Sequence, residues 1–286
     1  MAPPIQRLGI VGTGTMGAGI AQVAAQAGCN VWLVDALPGA VDQAIDRIGH
    51  GLARLVERGT LAEEARVAAL GRLHPAAELS GLREVQLVVE AVVEREPAKA
   101  EILGALDGIV PPDTILASNT SSISITRLGA ATGRPDRVVG MHFFNPVPVM
   151  RLVELISGVH TSDASLGTAR EMALALGKTP VEVRDYPGFV SNRLLVPMIN
   201  EAAYALMEGV ATAEAIDQVM TLGMNHPIGP LALADLIGLD VCLDIMRVLH
   251  SGLGDDKYRP CPLLVNLVAA GYLGRKSGRG FFSYEK

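Results

Sequence analysis

Several absences narrow the field before any motif is read. The chain has 3 cysteines, Cys29, Cys242 and Cys261, far apart and odd in number. There is no C-x-x-C and no Cys/His cluster, so neither a zinc site nor a disulfide framework is expected, and no metal is assigned. A reducing, cytoplasmic setting follows from that thiol usage. No apolar run approaches the roughly 18 residues of a membrane span. The opening MAPPIQRLGIVG has no basic region ahead of an apolar core, so it does not read as a secretory signal. Lysine and arginine form no block and net charge is −6, which argues against a general nucleic-acid binder. Aromatics are only 4 % of residues, and no repeat or low-complexity segment is present.

What is present is a hydrophobic content of 49 % over 286 residues, enough for one large domain or two ordinary ones. Ile5 to Val11 reads as an apolar strand, followed at once by Gly12-Thr-Gly-Thr-Met-Gly17. A helix over Ala18 to Ala27, closed by Gly28, leads to a second strand, Val31 to Val34, which Asp35 ends. This is G-x-G-x-x-G in the strand–turn–helix–strand context that a dinucleotide requires. Gly12 permits the tight turn, Gly14 the approach of a pyrophosphate, and Gly17 the packing of helix on sheet. The N–H groups of Thr15 and Met16 open the helix toward phosphate. Asp35 accepts from an adenosine ribose and repels a 2′-phosphate, so the expected cofactor is NAD.

A long helix is expected over Leu37 to Gly59, with Val41, Ile45, Ile48, Leu52 and Leu55 in one apolar stripe. Arg47, Arg54 and Arg58 lie off that stripe, where a solvated basic face is the default. A short helix from Thr60 to Leu70 follows. Gln86 to Val93 reads as a buried strand ending in Glu94, then a helix from Glu96 to Ile109 carries Lys99. Thr114 to Ala117 is a strand that runs into Ser118-Asn119-Thr120-Ser121-Ser122. Polar residues at the carboxyl end of a parallel strand face the ligand crevice. The alternative is a cap for the next helix.

The densest stretch is MHFFNPVPVMRLVE, from Met141 to Glu154. A strand ends near His142, Pro146 and Pro148 exclude helix, and Arg151 to Ile156 forms the next strand. Glu154 is thereby placed to meet His142, fixing the tautomer of a base; a structural ion pair has an equal claim from this stretch alone. A helix through Leu176, capped by Ser162 or Asp163, and a last strand from Thr179 to Val183 complete the pattern. Strand patterns stop at Asp185-Tyr-Pro-Gly188. After it only helices are expected: Val190 to Met207, Ala213 to Leu222, Leu231 to Leu249 and Pro262 to Ala270, with Asn192 in the first turn of the first. The fold class is α/β: an N-terminal Rossmann-type dinucleotide-binding domain, 1–185, and a C-terminal all-α domain, 186–286.

Over essentially its whole length the sequence resembles the bacterial L-3-hydroxyacyl-CoA dehydrogenase family, of the 3-hydroxybutyryl-CoA dehydrogenase type. GTGTMG with Asp35, VVEAVVE, ASNTSS, HFFNPVPVM, LVE, DYPGFVSNRLL, HPIGPLALADLIGLD and LGRKSGRGFF carry the resemblance. It implies NAD-dependent oxidation of the 3-hydroxyl of a short-chain acyl-CoA. It makes His142 similar to the general base, Glu154 to its paired carboxylate, Ser121 to the donor that meets the substrate oxygen, and Asn192 to a substrate contact. Glu94, Lys99, Asn119, Ser121, Asn145 and Lys276 match positions around the nicotinamide. It also implies a homodimer built through the helical domain. Relatives carry a serine and a lysine in the long helix as coenzyme A contacts; Gly51 and Arg58 stand there, with Arg54 adjacent on the polar side. Alternatives are a dehydrogenase of the same scaffold acting on an acyl-carrier-protein thioester or a sugar acid, and a dinucleotide-binding protein without catalysis.

Overall fold

Apolar runs too short for core helices become strands. In a computed structural model that describes residues 3–284, they join one eight-stranded sheet in the order β3-β2-β1-β4-β5-β6-β7-β8. The strands are β1 (Arg7–Val11), β2 (Asn30–Val34), β3 (Leu73–Pro75), β4 (Leu87–Glu90), β5 (Ile115–Ser118), β6 (Val138–Phe143), β7 (Leu152–Ser157) and β8 (Thr179–Arg184). β4, β5 and β6 are buried throughout, as parallel strands covered on both faces must be. β1 lies between β2 and β4, so the order reverses there and a crevice opens at the carboxyl ends. β7 turns back antiparallel against β6, and the register sets His142 directly opposite Glu154.

The helices of this unit are α1 (Thr15–Gln26), α2 (Ala40–Glu57), α3 (Glu63–Leu70), α4 (Glu96–Asp107), α5 (Ile125–Gly129) and α6 (Asp163–Ala175). Ala44, Ile48 and Leu52 on α2 are buried, the centre of the expected stripe. Ser124 caps α5 and Ser162 caps α6 by accepting backbone N–H groups. Chain contacts divide after Asp185: one unit is Met1–Asp185 and the other Tyr186–Lys286.

The second unit packs α7 (Ser191–Met207), α8 (Ala213–Gln218), α9 (Pro230–Ile237), α10 (Leu239–Leu253) and α11 (Pro262–Ala269) around Ile199, Leu231, Leu239, Met246, Leu249 and Leu264. Here the expectation of one helix over Leu231 to Leu249 fails. Gly238, at φ 110°, breaks it into α9 and α10. The expectation of helices alone also fails, because Arg279 forms isolated strand-like bridges with Gly274 and Ser283. Buried Asp235 causes that tail geometry by accepting the N–H groups of Phe281 and Phe282 at 2.9 Å and the Tyr284 hydroxyl at 3.0 Å. In the first unit, β3 was not expected, and β4 stops at Glu90 rather than Val93. There the Glu90 carboxylate takes the Val92 N–H at 2.7 Å and turns the chain out of the ladder. Among the described residues no helix is long and apolar enough to cross a membrane.

Candidate active site

The glycine turn after β1 is built as its sequence demands, and each glycine answers to something different. Gly12 sits at φ +90°, and a Cβ there would meet the Ala91 carbonyl oxygen at 2.7 Å. A Cβ on Gly17 would lie 1.8 Å from the Gly12 carbonyl oxygen. Gly14 is the contrast: φ is −60°, and nothing lies within 4 Å of an added Cβ. The protein's own atoms would accept a side chain there, which leaves room for a ligand to approach the backbone. Gly14 is also the N-cap of α1, with no side chain capping the Thr15 and Met16 end and no acid in its first turn. Uncapped N–H groups at a helix start favour an anion.

Asp35 does more than end β2. Its Oδ2 accepts the Thr13 N–H at 2.6 Å and hydroxyl at 2.9 Å, and Oδ1 accepts the Leu37 N–H at 3.0 Å. Burial acts to raise its pKa, but the donors of Leu37 and Thr13 together hold the carboxyl below its usual range. Arg47 departs from the solvated basic face expected of it: its Nη2 donates to the Thr13 carbonyl at 2.8 Å. Its signal was legible only in three dimensions, since α2 has to lie across the turn first. These groups fit the adenosine and pyrophosphate of a dinucleotide.

The carboxyl ends of β4, β5 and β6 hold the second cluster. His142 Nδ1 and Glu154 Oε2 are 2.8 Å apart, the histidine 8 % and the glutamate 2 % exposed. The Phe144 ring lies against the imidazole, tilted by 43° with centroids 4.5 Å apart. Glu94 Oε1 accepts from the Thr120 hydroxyl at 2.5 Å, the Ser121 N–H at 2.8 Å, its hydroxyl at 3.1 Å and the Ser122 N–H at 3.2 Å. Burial raises the Glu94 pKa, yet the Lys99 ammonium and these donors bring it below the normal glutamate value.

Lys99 lies beneath Glu94. It is 1 % exposed, with its ammonium 2.8 Å from Glu90 Oε1 and 3.2 Å from Glu94 Oε2. Its donors are committed to protein acceptors, so the geometry gives it the role of holding Glu94. Asn119 is likewise buried and its side-chain oxygen takes the Phe143 N–H at 2.8 Å, tying β5 to β6. Asn145 is exposed, beside a cis peptide bond to Pro146. Glu90, fully buried, escaped the sequence reading. Its signal was a charge inside the apolar run Leu87-Val-Val-Glu90-Ala-Val-Val93.

A cavity of about 330 Å³ is lined by Gln22, Gly51, Arg54, Leu55, Arg58 and Pro148. It brings Arg54 and Arg58 together beside Gly51. In the helical unit, Asn192 lies in the first turn of α7, and the Lys276 ammonium is 2.6 Å from Asp240. Among the described residues no cluster of side chains suits a metal ion.

Comparison with known proteins agrees in both units. Residues 7–186 match the NAD binding domain of 3-hydroxyacyl-CoA dehydrogenase, and residues 188–284 match its C-terminal domain. The chain is 55 % identical over 282 residues to a probable 3-hydroxybutyryl-CoA dehydrogenase of Bacillus subtilis, covering 99 % of this chain and 98 % of that one. It is 52 % identical over 284 residues to the 3-hydroxybutyryl-CoA dehydrogenase of Bradyrhizobium diazoefficiens, covering 99 % and 97 %. The crystal structure of (S)-3-hydroxybutyryl-CoA dehydrogenase from Ralstonia eutropha superposes with a TM-score of 0.97, at 51 % identity over 99 % of this chain and 100 % of that one.

Proposed function

We infer the reaction from one premise: the chain belongs to the 3-hydroxyacyl-CoA dehydrogenase family. It oxidises the 3-hydroxyl of an L-3-hydroxyacyl-CoA thioester to the ketone, with 3-hydroxybutyryl-CoA as substrate, the compound in its relatives' names. The single observation that carries the chemistry is the buried His142–Glu154 pair, held in register by two strands at the crevice. The turn of Gly12, Gly14 and Gly17 together with Asp35 would hold NAD, which would supply the hydride acceptor for C3.

Every other task falls to side chains of this protein. With Glu154 on Nδ1, the hydroxyl proton passes to Nε2 of His142, and the carboxylate stabilises the imidazolium that results. Ser121 orients the substrate oxygen, a role supported by its loop, which Glu94 fixes through the neighbouring amides. Asn192 joins this set by its family motif. Glu94, Lys99, Asn119, Asn145 and Lys276 form the family's nicotinamide-side set; here Lys99 and Asn119 serve through the groups they hold. Arg54 and Arg58 receive coenzyme A phosphates, since guanidinium groups beside one cavity match phosphate geometry. The domain roles follow: residues 1–185 bind NAD, and 186–286 serve substrate and dimerisation. Three buried free cysteines suit a cytoplasmic enzyme.

The test is NADH production with L-3-hydroxyacyl-CoA esters of rising length, alongside free 3-hydroxy acids and acyl-carrier-protein esters. The four-carbon CoA ester is expected to give the highest kcat/KM. Faster turnover of a free acid or a carrier-protein ester overturns the substrate assignment, and no turnover of any overturns the reaction.

A further inference from the structure

At the carboxyl ends of the central strands, three alternating charges lead to one loop. Glu90, at the end of β4, stands in register with Val11 of β1 and Ser118 of β5, directly beneath the crevice. Its carboxylate is 0 % exposed. Oε1 accepts the Val92 N–H at 2.7 Å and the Lys99 ammonium at 2.8 Å, and Oε2 accepts the Ser118 hydroxyl at 2.6 Å. Lys99 spans from Glu90 to Glu94 Oε2. The other oxygen of Glu94 carries the hydroxyls of Thr120 and Ser121 and the amides of Ser121 and Ser122. The two oxygens of Glu94 therefore face different duties, one toward the cation and one toward the serine loop.

Stability is a weak account of such an arrangement. Desolvating a buried ion pair often costs about what its attraction returns. What the charges add is position. Glu90 is the nearer acceptor to the ammonium, so it fixes where the cation sits, and the cation fixes how Glu94 is turned.

We propose that Glu90 is a positioning residue for the reaction: it acts through Lys99 and Glu94 to hold Ser121 where the substrate oxygen is received. This rests on the reading that Ser121 meets that oxygen. With the Glu90 charge removed, a buried ammonium keeps a single counter-ion. It moves onto Glu94 and competes with the amides of Ser121 and Ser122 for the carboxylate. With Lys99 removed, Glu94, whose side chain is 39 % exposed, turns toward solvent instead. Either change releases the loop.

The experiment compares the parent with Glu90→Gln, Lys99→Met and the pair, all in the full chain. Amide hydrogen exchange is read at Ser121 and Ser122, beside kcat and KM. In Glu90→Gln, exchange at both amides is expected to rise about 10- to 100-fold, the value of hydrogen bonds to a charged group. Misplacement of the serine is expected to lower kcat about 10- to 100-fold with KM for the ester unchanged. The pair variant is expected to show loop exchange and kcat no worse than Lys99→Met, since Glu90 acts only through the cation. Parent-like exchange in Glu90→Gln, or a Glu90 effect that adds in full to that of Lys99→Met, overturns the proposal. A lowered melting temperature with parent exchange at the two amides is the purely structural outcome and also overturns it. If exchange rises as stated but the parent turns over no 3-hydroxyacyl-CoA, the positioning stands and the assigned reaction falls.

Discussion

His142 Nδ1 and Glu154 Oε2 lie 2.8 Å apart in a buried site, and the proposed reaction gives them unequal work. His142→Gln removes the proton acceptor and is expected to lower kcat by about 10²- to 10⁴-fold, the usual worth of general acid–base catalysis. Glu154→Gln keeps shape and loses charge, so its loss of turnover should be smaller. Neither residue belongs to the glycine turn, so calorimetric affinity for NAD should match the parent in both variants. Parent-like turnover in both would leave a structural ion pair and no base. Asp35 carries a second consequence at this scale. Because it holds Thr13 as well as being the proposed ribose acceptor, Asp35→Ala should weaken both cofactors, and NAD the more, by about 10- to 100-fold. The sign of its pH effect follows from its depressed folded pKa. The carboxylate's stabilisation is present above the unfolded value of about 3.9 and is lost only as pH falls through the lower folded value. NAD affinity should therefore stay flat from neutral pH down to the ordinary carboxylate range; a decline that sets in well above it would show that another group governs binding.

The three glycines of the turn between β1 and α1 are interchangeable as letters and separable as physics. Gly14→Ala meets open space at an ordinary φ, so the melting temperature should hold while NAD affinity falls. Gly17→Ala drives a Cβ into the Gly12 carbonyl, so melting temperature and affinity should fall together. If Gly14→Ala binds NAD as the parent does, no pyrophosphate approaches there. Period and turn chemistry made most elements legible from sequence: apolar runs marked the strands and the α2 stripe marked its buried face. Pairing His142 with Glu154 needed only a strand, a proline-held reversal and a second strand. Two of the misses share a cause, which is that a side chain redirected the backbone through a distant or buried contact. Glu90 ended β4 by taking the Val92 N–H, and Asp235 drew the tail into bridges. Gly238 could have been read as a break, but LADLIGLD keeps helical apolar spacing across it. Arg47 was unreadable for a further reason, since a basic face becomes a site only when another element lies beneath it.

At the scale of the whole molecule, the helical unit leaves large apolar side chains in water. Leu194 on α7 is 69 % exposed, Val210 is 73 %, and Leu236 on α9 is 53 %. The turn after α8, Val219–Gly223, winds as a π-helix and presents Val219 at 61 % and Leu222 at 85 %, with Met224 beside it at 61 %. Single exposed apolar residues are ordinary; we propose that these belong to a surface for association. The homodimer that the family resemblance implies would cover them, and burying such a side chain is worth about 1.5–3 kcal/mol each. Leu222→Glu and Leu194→Glu put charges at two of these exposed positions without touching the core around Leu231 and Met246. Sedimentation should show the parent as a dimer at micromolar concentration and the double variant as a monomer with an unchanged helical circular-dichroism spectrum. NAD affinity should persist in the monomer, because the glycine turn, Asp35 and Arg47 all belong to the other unit. A parent that sediments as a monomer would remove dimerisation from the roles of residues 186–286 and leave those side chains to another partner.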